Sequence, residues 1–360
     1  MVFVTIIVFI LMLGFLISIH EFGHFIVAKH FNVYCGQFSI GMGPKVYSHQ
    51  FGETKFELRL LPIGGFVSMA GEDGEVDNEL FKDVPLERTI KGLKCWKKVC
   101  IFLAGVFMNF VSAYIIIVLV YLLGVSVSTN SNQLGTIVED SPAMKAGFQV
   151  NDIMESITNE EGEVFIIDSF DDLSPALNKE SNGYEGDTQT FYVEVLRDEE
   201  EVSLTVEASY NESTGNYYFG VSPTTKHLNL TQSFKYGLSY CLEVSTLILD
   251  TLKQLFSNTK ETVSQLSGPV GIYEVTSEVT SSGSIMNLFQ LIAMLGINLG
   301  VFNLLPIPGL DGYQVLVALV ERIIGRELPA NFKVVLQLMG LALVFGLMIV
   351  VTCNDIFHIF

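Results

Sequence analysis

Charge is scarce in this chain. Asp, Glu, Lys and Arg make up 16% of its 360 residues, where an ordinary soluble globule has about a quarter. Basic residues are scarcer still, 20 Lys and Arg against 39 Asp and Glu, for a net charge of -19. That sign excludes a nucleic-acid binder. Cysteine is also sparse: Cys35, Cys95, Cys100, Cys241 and Cys353 are odd in number, scattered, and form no C-x-x-C. They build neither a disulfide scaffold nor a thiolate zinc site. A disordered acidic chain is excluded by the 49% hydrophobic content, which is far too high for one. What remains is a membrane protein carrying a polar domain.

Charge-free apolar runs locate four spans. The first covers Met1 to Ile19 and continues helically past His20, Glu21 and His24 to about Ala28. No basic segment precedes it and no small-residue cleavage site follows, so it reads as a span rather than a signal peptide. The second is Val99 to about Val127, behind Lys97 and Lys98; the third begins after Glu278 and stays charge-free to Asp311, interrupted by Pro306, Pro308 and Gly309; the fourth is Val334 to Val351. Each is long enough for a hydrocarbon core of roughly 30 Å. The expected architecture is a polytopic α-helical membrane protein divided at 1–30, 96–127, 284–325 (broken) and 333–352, with intervening stretches at 36–70, 128–212 and 228–283. Lys and Arg crowd the connection between spans one and two and the link holding Arg322, Arg326 and Lys333, which predicts both to be cytoplasmic. The acidic stretch from Ser128, with Asp198-Glu199-Glu200-Glu201 as its densest run, and both termini are then extracytoplasmic.

Within that stretch, Phe191 to Leu196 and Val202 to Val206 are strand-like runs about a charged turn. Upstream, Gly135 to Phe148 with Ser141-Pro-Ala, Ala146-Gly and the following Asp152-Ile153 resembles a PDZ domain, with Asn151 where many members have glycine. PDZ grooves accept an extended peptide by strand addition; a spacer or size filter is the alternative. From Leu230 to about Leu266, apolar residues at helical spacing (Phe234, Leu238, Cys241, Leu242, Leu247, Ile248, Leu252, Leu255) predict an amphipathic helix.

The sharpest chemical signal is His20-Glu21-Phe22-Gly23-His24. On a helix, residues i and i+4 share a face, so both imidazoles can hold one zinc, with Glu21 beside them as a proton acceptor. Ionisable groups in a membrane helix cost about 2.5–3.5 kcal/mol each for charged types, which argues for a purpose. A catalytic zinc takes three protein ligands. Asp311, in Asn303-Leu-Leu-Pro-Ile-Pro-Gly-Leu-Asp311-Gly, is the first charge after more than thirty uncharged residues and follows a proline break. A capping role, with the helix starting at Gly312, is compatible with ligation. Depth agrees: at about 1.5 Å per residue, His20 lies roughly 28 Å into the first span, and Asp311 reaches the same layer from the other direction.

These motifs resemble the site-2 protease family of intramembrane zinc metalloproteases in its bacterial single-PDZ form. The resemblance covers nearly the whole chain. It is supported by Leu61-Pro-Ile-Gly-Gly-Phe-Val67 and Ser267-Gly-Pro-Val-Gly-Ile272. It implies zinc held by His20, His24 and Asp311, Glu21 as the catalytic base, and a membrane-associated β-hairpin over 36–70 whose edge holds the substrate extended. It also implies substrate contact by Asn303 and by Asn109, which lies in Ala104-Gly-Val-Phe-Met-Asn-Phe110 where Val106 replaces a common proline. From the residues alone, Asn303 could equally satisfy carbonyls freed near Pro306, and Asn109 could be an interhelical hydrogen bond. The expected activity is cleavage of transmembrane segments of single-span proteins, anti-sigma factors for example, or of remnant signal peptides. The rivals are a metal-binding membrane scaffold or transporter without proteolysis and a PDZ-led tether. The bilayer is a partner in either case; the sequence sets no oligomeric state.

Overall fold

The computed structural model describes residues 2–72, 81–124, 127–129, 131–178, 187–211, 216–257 and 268–359. Parts of the expected 128–212 and 228–283 stretches, with Ser267, lie outside the described residues. The chain forms two units: Met1–Val120 with Thr231–Phe360, and Tyr121–Leu230.

The first unit opens with α1, Val2–His30. Large apolar side chains such as Phe3, Leu11 and Phe15 face outward along it, as expected of a helix solvated by lipid tails. Two long antiparallel strands follow, β1 (Cys35–Phe51) and β2 (Thr54–Met69), turned at Gly52, whose φ is +60°. Their register is more elaborate than a simple hairpin. Gln37–Ile40 lie beside both Gly65–Ser68 and Lys55–Leu58, and Lys55–Leu58 also face Tyr47–Gln50. The result is a sheet of four segments in which 65–69 occupies one edge. Phe38 and Phe56 from this sheet pack on Phe25 of α1, with ring centroids 5.4 and 5.6 Å away. At the turn, Glu53 accepts from Arg88 Nη2 at 2.6 Å and pairs with Lys29, which ties the sheet to the end of α1. Arg88, and secondarily Lys29, hold the Glu53 carboxyl below its usual range against the effect of partial burial. The next helix is α2, Cys95–Leu122.

The second unit is a small β domain. Its strands are β3 (Val127–Ser128), β4 (Leu134–Ile137), β5 (Ile153–Thr158), β6 (Val164–Ile166), β7 (Thr188–Arg197), β8 (Glu200–Asn211), β9 (Asn216–Tyr218), β10 (Val221–Pro223) and β11 (Thr225–Lys226). Five of them make an antiparallel sheet in the order β6-β5-β7-β8-β9. Along β7, Phe191, Val193 and Val195 are buried and Tyr192 and Glu194 exposed, the period of two that places one face on a core. Met154, Ile157, Val206, Tyr217 and Phe219 complete that core. The short helix α3, Pro142–Ala146, starts where Ser141 Oγ accepts from Met144 N at 3.2 Å and stops at Gly147, whose φ is +89°. Asn151 has φ +76°; asparagine tolerates that region better than other non-glycine residues, which explains how it occupies a glycine position. A second short helix, α4, is Leu173–Leu177.

The chain re-enters the first unit through α5, Leu230–Ser257, which leaves Phe234, Leu238, Leu242 and Leu247 exposed and buries Cys241. Where the sequence suggests only a linker, the structure has a separate helix, α6 (Pro269–Ser281). Its start is held from far away: Asp355 accepts from the N–H groups of Gly268 and Gly271, both at 3.0 Å. The last helix, α9 (Ala330–Ile359), therefore runs beyond the expected boundary at 352, because the polar residues that seemed to end it carry this cap. Between them lie α7 (Ile285–Asn303), the Pro306–Gly309 break, and α8 (Asp311–Ile324). Among the described residues, four helices are long and apolar enough to cross a membrane: Val2–His30, Cys95–Leu122, Ile285–Asn303 and Asn331–Asp355.

Candidate metal centre

The helical geometry of α1 places His20 and His24 one turn apart, with Nε2 atoms 3.2 Å from each other. Asp311 comes to them from the first residue of α8. It does not cap that helix, contrary to the start at Gly312 considered from the sequence: the helix begins at Asp311 itself, after Leu310 in extended conformation, with no side-chain cap bond. Its carboxylate is free to turn inward. Oδ2 lies 3.0 Å from His20 Nε2 and 3.4 Å from His24 Nε2. Potential ligand atoms of the three residues all fall within 4.8 Å of one another.

The outer nitrogens of the imidazoles are engaged behind this cluster. His24 Nδ1 is 2.8 Å from the Ile101 carbonyl. That acceptor fixes the proton on Nδ1 and leaves the Nε2 lone pair facing Asp311. His20 Nδ1 is 3.1 Å from Asn109 Nδ2, and Asn109 Oδ1 has no partner. Half a turn of this amide lets Oδ1 accept from Nδ1–H, and His20 Nε2 then also offers a lone pair. Asp311 Oδ2, buried, has no hydrogen-bond donor of its own. Two imidazole nitrogens and an orphaned carboxylate oxygen converging at this spacing fit a divalent cation of the zinc type.

Close helix crossing makes the cluster possible. A Cβ on Gly105 of α2 would stand 2.4 Å from His24 Nε2, and one on Gly23 of α1 would stand 2.3 Å from the Ala104 carbonyl. The glycine of His-Glu-Phe-Gly-His is thus where α1 meets α2. Glu21 points to the other side: its Oε2 accepts from the Val67 N–H at 3.2 Å, on the edge segment of the sheet. His20, Glu21, His24, Asp311 and Asn303 all line one cavity of about 300 Å³, whose remaining wall includes Val67, Met69 and Gln314.

Peptidase family M50 matches residues 8–347. The chain belongs to that family. This M50 chain is 31% identical to the Regulator of sigma-W protease RasP of Bacillus subtilis, over 99% of each chain. It is 30% identical to the Zinc metalloprotease RasP of Bacillus licheniformis, again over 99% of each. It is accordingly a metalloprotease of the membrane, of the site-2 type.

Two expectations from the sequence resolve differently. The Asn303 side chain has no hydrogen-bond partner among the described residues and lines the cavity, so the carbonyls near Pro306 are not its partners. Asn109, for which the sequence leaves substrate contact and an interhelical hydrogen bond both open, is wholly buried and makes the second, to His20. Gly105 and the Ile101 carbonyl escaped sequence reading; a small residue four positions before Asn109 in a span was the available signal for the first.

Proposed function

We propose that this M50 chain holds zinc through His20, His24 and Asp311 and hydrolyses peptide bonds within transmembrane segments, with Glu21 as the general base. The single observation that carries this reading is the convergence of Asp311 on the two imidazoles. Zinc in such a site supplies Lewis acidity toward a peptide carbonyl and toward water. Glu21 takes the proton of the attacking water and returns it to the leaving amine. Its bond to the Val67 N–H keeps the carboxylate at the sheet edge rather than on the cation.

A peptide bond inside a helix is shielded by its own hydrogen bonds, so a spanning substrate must unwind before attack. Among the described residues no strand pairs with the outer edge of segment 65–69, beside Glu21 and the cavity, and an unpaired edge offers the unwound chain replacement hydrogen bonds. Asn303, exposed to the same cavity, is suited to bond its backbone. The substrates are single-span proteins already trimmed outside the bilayer, anti-sigma factors for example, or remnant signal peptides. The β domain acts as a PDZ module: the Ser141-capped helix and the antiparallel sheet support that assignment. The placement of Lys and Arg supports an extracytoplasmic location for it and for both termini, with the cation toward the cytoplasmic side.

The test is cleavage of a single-span substrate by the purified protein and by Glu21→Gln. The variant should lose about 10²–10⁴-fold in rate while retaining metal; equal cleavage by both proteins would overturn the assignment.

A further inference from the structure

We infer that the cleft between the start of α2 and the C-terminal end of α8 is a binding site for the headgroup of an anionic phospholipid. A cavity of about 310 Å³ opens there, and Lys94, Lys98, Arg322 and Arg326 line it. Among the described residues none of these four cations has a carboxylate partner. Of the two acids on the same wall, Glu321 is already taken: it pairs with Lys333 at 2.8 Å and accepts from Leu328 N at 3.0 Å. Among the described residues that line the cavity, Glu327 is then the acid left facing four positive charges. The cup is also a fixed structure rather than a loose fringe of lysines. Cys95 Sγ donates to the Ala318 carbonyl at 3.4 Å, which joins the start of α2 to α8 behind the cavity.

Its depth and surroundings select a lipid rather than a soluble anion. The cup lies at the first turn of one candidate span, α2, and just before another, which begins at Asn331. Trp96, next in the chain to Cys95 of the cavity wall, is half exposed and edge-on to Phe31 at 5.3 Å, with Lys97 Nζ over both rings. An aromatic and basic pair of this kind marks the headgroup layer. Directly after Arg322, Ile323 is 84% exposed and Ile324 is 50% exposed. Cations beside bare isoleucines complement a molecule with a phosphate at one end and hydrocarbon at the other. Occupancy bears on α8, which carries the cup at its C-terminal end and Asp311 at its first residue.

Trp96 is the one tryptophan in the chain and serves as the reporter. The full-length protein is placed in phosphatidylcholine vesicles, and brominated phosphatidylglycerol or brominated phosphatidylcholine is added at low mole fraction. Phosphatidylglycerol should show at least about fivefold higher relative affinity by quenching of Trp96. Arg322→Gln with Arg326→Gln should abolish the preference, and Arg322→Lys with Arg326→Lys should keep it. Equal quenching by the two lipids, or a preference that survives the glutamine substitutions, overturns the inference. Loss of the preference to millimolar inorganic phosphate at constant ionic strength reassigns the cup to a soluble anion and likewise overturns it. Should the glutamine variant fail to fold, a salt titration of the unaltered protein decides: a preference that salt leaves unchanged rules out a headgroup held by charge.

Discussion

Asp311 Oδ2 sits 3.0 Å from His20 Nε2, a contact between the first residue of a fourteen-residue helix and the C-terminal half of the first membrane helix. If that contact marks a shared cation, Asp311→Asn should lower metal content sharply. The loss should exceed the roughly 10–100-fold that removing a residue behind a ligand costs. Metal analysis of the purified variant, with circular dichroism to verify the fold, checks this. Full metal occupancy in Asp311→Asn would mean that the carboxylate is not a ligand.

Asn109 acts through His20. Asn109→Leu leaves Nδ1 of His20 without its partner and should weaken metal binding about 10–100-fold, with a matching loss of cleavage at limiting metal. Excess zinc should restore much of the rate. A variant whose defect appears only as a raised substrate KM at saturating metal would instead put Asn109 in contact with the substrate.

Glu53 gives the sheet a pH dependence. Its folded pKa lies below the unfolded value of 4.5 because Arg88 and Lys29 favour the charged form. The stabilisation is therefore present above about pH 4.5 and is lost as pH falls through the lower folded value. The pair is partly exposed to solvent, so the effect is small and weakened by salt. Thermal melts across that acidic range should show a shallower decline for Glu53→Gln than for the unaltered protein.

Asp355 caps a helix that lies far from it in sequence. Asp355→Ala removes the acceptor for the Gly268 and Gly271 N–H groups and should cost about 0.5–2 kcal/mol. Asp355→Asn keeps an acceptor and should recover most of it. Limited proteolysis near α6, compared across the three proteins, reads the difference.

The placement of the histidine pair was legible in the sequence because helices are local. Four residues of spacing put His20 and His24 on one face whatever else the chain does, and two prolines and a glycine announce the break before Asp311. The sheet was legible only in part. Alternation marks strands, but the doubled pairing of Gln37–Ile40 depends on which segments meet, and nothing at those positions states it. The same limit hid Asn109 behind His20 and Asp355 above α6. In each case a polar side chain in an apolar helix advertised that it had a partner, without naming a partner nearly ninety residues away. Asp311 was misleading in a smaller way: an acid at a helix start reads as a cap, and here Leu310 takes that position while the carboxylate turns away.

The proposed ligands His20 and Asp311 are separated by almost three hundred residues of chain. A chain still emerging from the ribosome has its histidine pair in the bilayer long before the carboxylate is made. On this assignment the nascent enzyme stays inert among neighbouring membrane proteins, and becomes able to cut only once the segment that carries Asp311 has joined the histidine helix.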